Sequence, residues 1–216
     1  MNETYAKRKI TQLDMYMGGA LFIVSLVLVI NISLRSITLV YGIILIVLGG
    51  IAYAAQYRGL RLKNLWTLGL LSIILYPFID YLFVANLGLV SYMTKDPRLV
   101  VTPVYVPLYW LLGVLLFVYC YYRIHGVTEK VWMGALGTGL FSAASTTLVE
   151  NLFNAMGFYQ NTPSHYMIGH IPVYVPLGYV VAFSLMPLYL RYKYVFGFLL
   201  YGLVGICWYV FSFVVP

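Results

Sequence analysis

Seven apolar runs, each about as long as a bilayer crossing, follow one another with only short polar breaks, and this alternation restricts the chain to a membrane helix bundle. A hydrocarbon core about 30 Å thick needs roughly 20 residues of helix, and in lipid each backbone N–H and C=O has to be satisfied within its own helix or a closed barrel. The runs lie near 15–33, 37–56, 65–91, 102–122, 131–156, 171–190 and 194–215. They predict an all-α, polytopic bundle of seven transmembrane helices forming a single integral membrane domain over 1–216, multi-pass and, in a prokaryote, in the plasma membrane. Composition agrees: 62% of residues are hydrophobic, 9% are charged and the mean hydropathy is +0.89. A soluble domain carries about a quarter charged residues. The first run follows a 14-residue polar start and has no small-x-small cleavage site before the second, so it reads as a span and not a removed signal peptide.

Basic residues resist translocation and set orientation. Lys7, Arg8, Lys9, Arg58, Arg61, Lys63, Arg123, Lys130, Arg191 and Lys193 fall on one side of the seven-span scheme, and Arg35, Lys95 and Arg98 on the other. The N-terminus is therefore expected in the cytoplasm and the C-terminus outside. The net charge of +7 is spread singly or in threes between apolar runs, which makes it a topology signal and excludes a phosphate-binding stripe, so no nucleic-acid partner is expected. Cys120 and Cys207 lie 87 residues apart in apolar segments, a spacing that gives neither a disulfide framework nor a metal site.

The chain also resembles itself. Thr102 to Trp110 reads TPVYVPLYW and Ile171 to Tyr179 reads IPVYVPLGY, with Gly178 against Tyr109 the one real mismatch. Upstream, Asp80-Tyr-Leu-Phe-Val-Ala85 matches Glu150-Asn-Leu-Phe-Asn-Ala155 at an offset of 70, where Pro103 and Pro172 are 69 apart. Helices three and four are thus expected to recur as five and six, in units of about 65–122 and 131–190. Two-helix units keep the same orientation, giving a parallel internal repeat about an axis near the membrane normal. Pro103 and Pro172 suit a helix's first turn, with Thr102 as a cap. Pro107 and Pro176 are expected to bend the young helices, and Pro77 to kink the third.

Of the six carboxylates, Glu3, Asp14, Asp96 and Glu129 fall in expected loops or tails, which leaves Asp80 and Glu150 inside apolar spans at the same repeat position. A charge in lipid costs at least about 2.5 kcal/mol, so such residues face protein or a cavity and are functional candidates. The rival reading is structural: Thr146, Thr147 and Asn154 share Glu150's helix face and can hydrogen-bond across helices. Two acids in one apolar chamber are driven toward the neutral form by desolvation and by each other, and a neutral acid donates protons. Tyr76, Tyr81, Phe83, Tyr105, Tyr109, Trp110, Phe153, Phe158, Tyr159, Tyr174 and Tyr179 surround them, and aromatic faces stabilise cations by about 0.5–2 kcal/mol each. Acid, aromatic lining and access from lipid are what protonating a carbon–carbon double bond of a polyisoprenoid requires. Many of these rings equally suit packing or an interfacial belt.

Pro77-Phe-Ile-Asp80-Tyr-Leu-Phe83 resembles the Pro-x-Glu-Glu-x-x-Phe motif of the membrane lycopene cyclases, with Asp80 and Phe83 at the second acid and the aromatic. Glu150-Asn-Leu-Phe153 keeps acid and aromatic without the proline. The run from Glu150 through Gly157, Tyr159, Pro163, Gly169, Pro172 and Pro176 is similar to the C-terminal half of membrane carotenoid hydratases. In size, helix count and use of two membrane acids the chain also resembles the fungal seven-helix terpene cyclases. The resemblance spans about residues 70–180. It implies cofactor-free, non-redox carbocation chemistry on a lipophilic isoprenoid in the bilayer, ending in cyclisation or, as a variant, hydration. Asp80 and Glu150 would be the catalytic acid and base. The substrate-binding set would be Tyr76, Phe83, Tyr105, Tyr109, Trp110, Asn151, Phe153, Asn154, Tyr159, Tyr174 and Tyr179, in which Asn151, Asn154 and Tyr159 orient groups or hold water.

Three other readings bear on the same residues. His165 and His170 sit in an outer loop as solvated side chains or proton relays, and without a third ligand they define no metal site. A proton-coupled or cation transporter, or its substrate-binding subunit, would use the two acids and the repeat for gating, against which stands the shortage of polar lining. The seventh run contains no lysine for a retinal Schiff base. A purely structural membrane subunit would need neither acid.

Overall fold

The computed structural model describes residues 12–57 and 63–191, together with positions 202, 205, 206, 210 and 213. The protein is mostly helical. Helix α1 runs Gln12–Leu34, α2 Ile37–Tyr57, α3 Lys63–Tyr81, α4 Tyr105–Thr128, α5 Val131–Ala155, α6 Tyr174–Ser184 and α7 Met186–Arg191. Among the described residues, three helical stretches are long and apolar enough to cross a membrane: Asp14–Leu34, Trp66–Asn86 and Tyr105–Thr128. The expected seventh span, 194–215, lies outside the described residues apart from the five isolated positions, all helical. Six of the ten basic residues on the expected cytoplasmic side, Lys7, Arg8, Lys9, Arg58, Arg61 and Lys193, also lie outside them.

Helix α4 is the buried centre, packed between α3 and α5, while α6 lies along α5 and α1 along α2. Small residues set these spacings. A Cβ on Gly139 of α5 would stand 2.6 Å from the Val180 carbonyl oxygen of α6, and one on Gly69 of α3 would meet the Leu111 side chain of α4. At the far end from the chamber described below, Asp14 accepts a hydrogen bond from Tyr119 and pairs with Arg123 at 3.3 Å. Asp14 was expected in the polar start; it lies in the first turn of α1, where an anion also complements the helix dipole.

Between the helices run three short two-stranded ribbons. Strand β1 (Val90–Tyr92) pairs antiparallel with β4 (Tyr159–Asn161), β2 (Arg98–Leu99) with β3 (Thr102–Pro103), and β5 (Met167–Ile168) with β6 (Ile171–Pro172). Both tight hairpins have the same register, Leu99 opposite Thr102 and Ile168 opposite Ile171. Each turns through a residue of positive φ, Val100 (63°) and Gly169 (66°). Each feeds its helix the same way: Val104 N donates to Pro97 O at 3.0 Å and Val173 N to Tyr166 O at 2.9 Å. The two hairpins thus share these features at a spacing of 69 residues.

The offset of 70 at the acids and 69 beyond them has a local cause. Left-handed glycines end both acid-bearing segments, Gly88 (φ 62°) and Gly157 (φ 76°), with one more residue between Asp80 and Gly88 than between Glu150 and Gly157. That residue is absorbed in a π-helical turn, Leu82–Asn86, directly after α3. A π turn closes its hydrogen bond one residue later than an α turn, which is how a helix accommodates an insertion.

Several expected boundaries shift for stated reasons. The third helix leaves α geometry at Tyr81, not at 91, and the fourth starts at Tyr105 because Thr102 and Pro103 are taken up in β3. Pro107 and Pro176 then become the third residues of α4 and α6, where no intrahelical donor is lost, so they open their helices and do not bend them. The expected sixth span is broken at Leu185, since Pro187 has no N–H to give Phe183; α7 restarts with Leu188 N and Tyr189 N donating to Leu185 O.

The close packing at Gly139 generates a test. Gly139→Ala should cost roughly 1–3 kcal/mol and lower the thermal midpoint in detergent. Gly19→Ala, at a helical position with nothing within 4 Å of the new carbon, should leave the midpoint unchanged or raise it slightly. Equal midpoints for both variants would contradict the packing.

Candidate functional site

Asp80 comes from the last turn of α3, Glu150 from the last turns of α5, and both face one cavity of about 100 Å³ bounded also by α4, α6 and the β1–β4 ribbon. The ribbon's alternation explains its inward face. Val90, Tyr92, Tyr159 and Asn161 line the cavity, while Ser91 and Gln160, the central pair, are exposed. The ribbon is held at both ends by Met93 N to Phe158 O at 3.0 Å and Thr162 N to Leu89 O at 2.8 Å. It forms the roof of the chamber.

Each acid is held by hydroxyls from other elements. Asp80, 4% exposed, accepts at Oδ2 from Thr102 Oγ1 (2.5 Å) and from Tyr92 Oη (2.9 Å). Glu150 accepts at Oε1 from Tyr179 Oη of α6 (2.6 Å) and keeps part of its surface open. Tyr159 lies beside Glu150 with its hydroxyl buried. Burial pushes the Tyr92 and Tyr159 phenols well above the ordinary tyrosine range, so both remain O–H donors at any physiological pH. The acids are within electrostatic reach of each other, and Tyr76 of both.

The remaining wall is aromatic. Tyr76 lies 4.7 Å from Trp110 between ring centroids, Trp110 stacks on Tyr179 at 5.5 Å, and Tyr109 meets Phe153 edge-on at 5.4 Å. Phe83 and Tyr174 complete the set of sequence-selected residues that line the cavity. No lysine, arginine or histidine is among the described lining residues.

Three of the selected residues, Asn151, Asn154 and Tyr105, lie outside the lining. Asn151 Nδ2 donates to Thr147 O (2.9 Å) and Ile168 O (3.2 Å), and Asn151 Oδ1 accepts from His170 N (2.7 Å), so it clamps the β5–β6 hairpin onto α5. Asn154 and Tyr105 are not among the lining residues; Tyr105 is fully buried in the core against Tyr41, Phe153 and Phe158. Thr102, expected as a cap, serves Asp80 while Val104 occupies the cap position. Thr146 returns its hydroxyl to Ser142 O, and Glu150 takes its partner from α6 instead of its own helix face. His165 and His170 are exposed. Among the described residues no His, Cys, Asp and Glu group of three could hold a metal. Tyr92 was missed: it lies in a loop whose side-chain direction only the ribbon register fixes.

Residues 77–216 match a family model described as a domain of unknown function, DUF6989. The chain belongs to this family. The DUF6989 match opens three residues before Asp80 and takes in both acids, all three ribbons and the helices α4 to α7. No curated protein and no solved structure matches the chain.

The Asn151 clamp predicts that Asn151→Leu, which removes three hydrogen bonds, costs about 1–3 kcal/mol and speeds proteolytic cleavage within 157–170 while leaving the 92–101 loop unchanged. Unaltered cleavage would show that the hairpin is held by something else.

Proposed function

We propose that the protein is a multi-pass integral membrane enzyme that protonates a carbon–carbon double bond of a lipophilic isoprenoid and guides the resulting cation to ring closure, in the manner of a terpenoid or carotenoid cyclase. The observation that carries this reading is the meeting of Asp80 and Glu150 in one aromatic-lined chamber roofed against water. A carboxylic proton adds to the alkene, forming a C–H bond and leaving a tertiary cation. A second double bond of the same chain attacks the cation and forms the ring C–C bond. A carboxylate then removes a neighbouring proton, and that C–H electron pair restores a double bond, so product and substrate have equal mass. The rings of Tyr76, Trp110 and Tyr179 present π faces to the positive charge.

Chamber size supports a division of the substrate. A cavity of about 150 Å³ lined by aliphatic side chains takes up one benzene, so 100 Å³ suits the reacting end of a prenyl chain, with the remainder outside the chamber. Ile79, Phe83 and Tyr109 are lining residues that keep some exposure, which fits an exit on their side. Capture of water by the cation would give hydration instead; the buried Tyr159 hydroxyl beside Glu150 is the feature that favours this second outcome.

The finer architecture belongs to the same proposal. The seven-span scheme puts the N-terminus in the cytoplasm and the ribbons outside. The two helix–hairpin–helix units are read as copies around a two-fold axis along the membrane normal. In support, Ser91 pairs with its own counterpart Gln160 in β1–β4, and equivalent strands meeting antiparallel at their centres is what a two-fold relation requires.

Expression in cells supplied with an isoprenoid pathway, followed by mass spectrometry of extracted lipids, tests the reading. A product isomeric with a prenyl precursor should accumulate, and Asp80→Asn or Glu150→Gln should reduce it at least about 100-fold while the protein stays folded. Full conversion by both variants, or pH-dependent solute uptake with no lipid product, would overturn it.

A further inference from the structure

The two acids sit in matched frameworks that differ at the positions giving them hydrogen bonds. Thr102 of β3 corresponds to Ile171 of β6, and Trp110 of α4 to Tyr179 of α6. The hairpins that hold Thr102 and Ile171 have identical register, so one presents a hydroxyl where the other presents hydrocarbon. As a result Asp80 Oδ2 takes Thr102 at 2.5 Å and Tyr92 at 2.9 Å with Tyr76 also beside it, while Glu150 takes Tyr179 at 2.6 Å with Tyr159 beside it. Asp80, though it lines the chamber, is only 4% exposed, whereas Glu150 keeps part of its surface open.

A charged carboxylate accepts an O–H hydrogen bond more strongly than a neutral carboxyl does, so each added donor favours the charged form. Two carboxyls in one apolar chamber resist being ionised together. The titratable groups facing the pair are Tyr76 from α3, Tyr92 from β1, Tyr109 from α4, Tyr159 from β4, and Tyr174 and Tyr179 from α6, none of which supplies a compensating cation. The shared proton therefore goes to the acid with fewer donors.

We infer that Glu150 carries the proton of the pair and Asp80 is its carboxylate, a division imposed by the Thr102 hydroxyl at a position where the second unit has Ile171. For the use of that proton this rests on the function proposed above; its location is a property of the resting protein. In turnover the Glu150 O–H bond breaks as the new C–H bond forms on the alkene. Asp80 takes the proton released when the double bond is restored, and that proton passes back to Glu150 before the next cycle. Thr102 acts through Asp80 as a positioning residue.

The test is infrared spectroscopy of the full chain in lipid nanodiscs at neutral pH. The wild type should show a protonated-carboxyl C=O band that is lost in Glu150→Gln and retained in Asp80→Asn. Thr102→Val keeps the shape and removes the donor. It should add a second such band, absent from the Thr102→Val/Asp80→Asn double variant and absent from Thr102→Ser. The assignment is overturned if the wild type shows no band, if the band is lost in Asp80→Asn, or if Thr102→Val matches the wild type. Should Glu150→Gln fail to fold, the Thr102 pair decides alone. These bands with no isoprenoid conversion would defeat the proposed function and leave the assignment standing; conversion with the band on Asp80 would do the reverse.

Discussion

A carboxyl group inside an apolar bundle has to be hydrogen-bonded, and this constraint organises the end of the molecule that holds the chamber. Leaving even one buried charge-bearing group unpaired costs several kcal/mol. Asp80 and Glu150 are supplied by Thr102, Tyr92 and Tyr179, each from a different element. The hairpin that carries Thr102, the ribbon that carries Tyr92 and the helix that carries Tyr179 are therefore tied to the acids they serve. The chamber walls and the chemistry of its acids are set by the same few bonds.

The ribbons follow from this geometry. The segments that follow α3 and α5 turn at left-handed glycines, Gly88 and Gly157, which send the chain back over the chamber so that β1 and β4 meet above it. Alternation along three residues then suffices to send Tyr92 and Tyr159 inward and Ser91 and Gln160 outward. The extra residue before Gly88 would rotate everything after it by about 100° in an unbroken α-helix. Taking it up as a π turn lets both segments reach the same ribbon.

Much of this was legible in the sequence, because hydropathy and rarity are strong signals in so apolar a chain. The apolar runs coincide with described helices, and Asp80 and Glu150, singled out as carboxylates inside those runs, both line the chamber, as do Tyr76, Trp110, Phe153 and Tyr179. What escaped notice depended on direction and pairing. Thr102 before Pro103 reads locally as a helix cap, and only the β2–β3 register turns its hydroxyl to Asp80. Strands of two or three residues carry no usable periodicity, so Tyr92 and the roof were invisible. Asn151 was taken for a chamber residue because helical spacing put it next to Glu150, yet one step around a helix is enough to aim it at the β5–β6 hairpin. Pro187 was legible in principle as a break in the sixth span, but the hydropathy run continues through it.

The claim on which all of this depends is that Asp80 and Glu150 face one another across a single chamber. Cysteines at both positions, in a chain with Cys120 and Cys207 replaced, can be tested against a graded series of short thiol cross-linkers in native membranes. The account predicts an intramolecular bridge between positions 80 and 150 that bound isoprenoid blocks. Cross-links formed only between molecules, or none at any linker length while each single cysteine remains reactive, would contradict it.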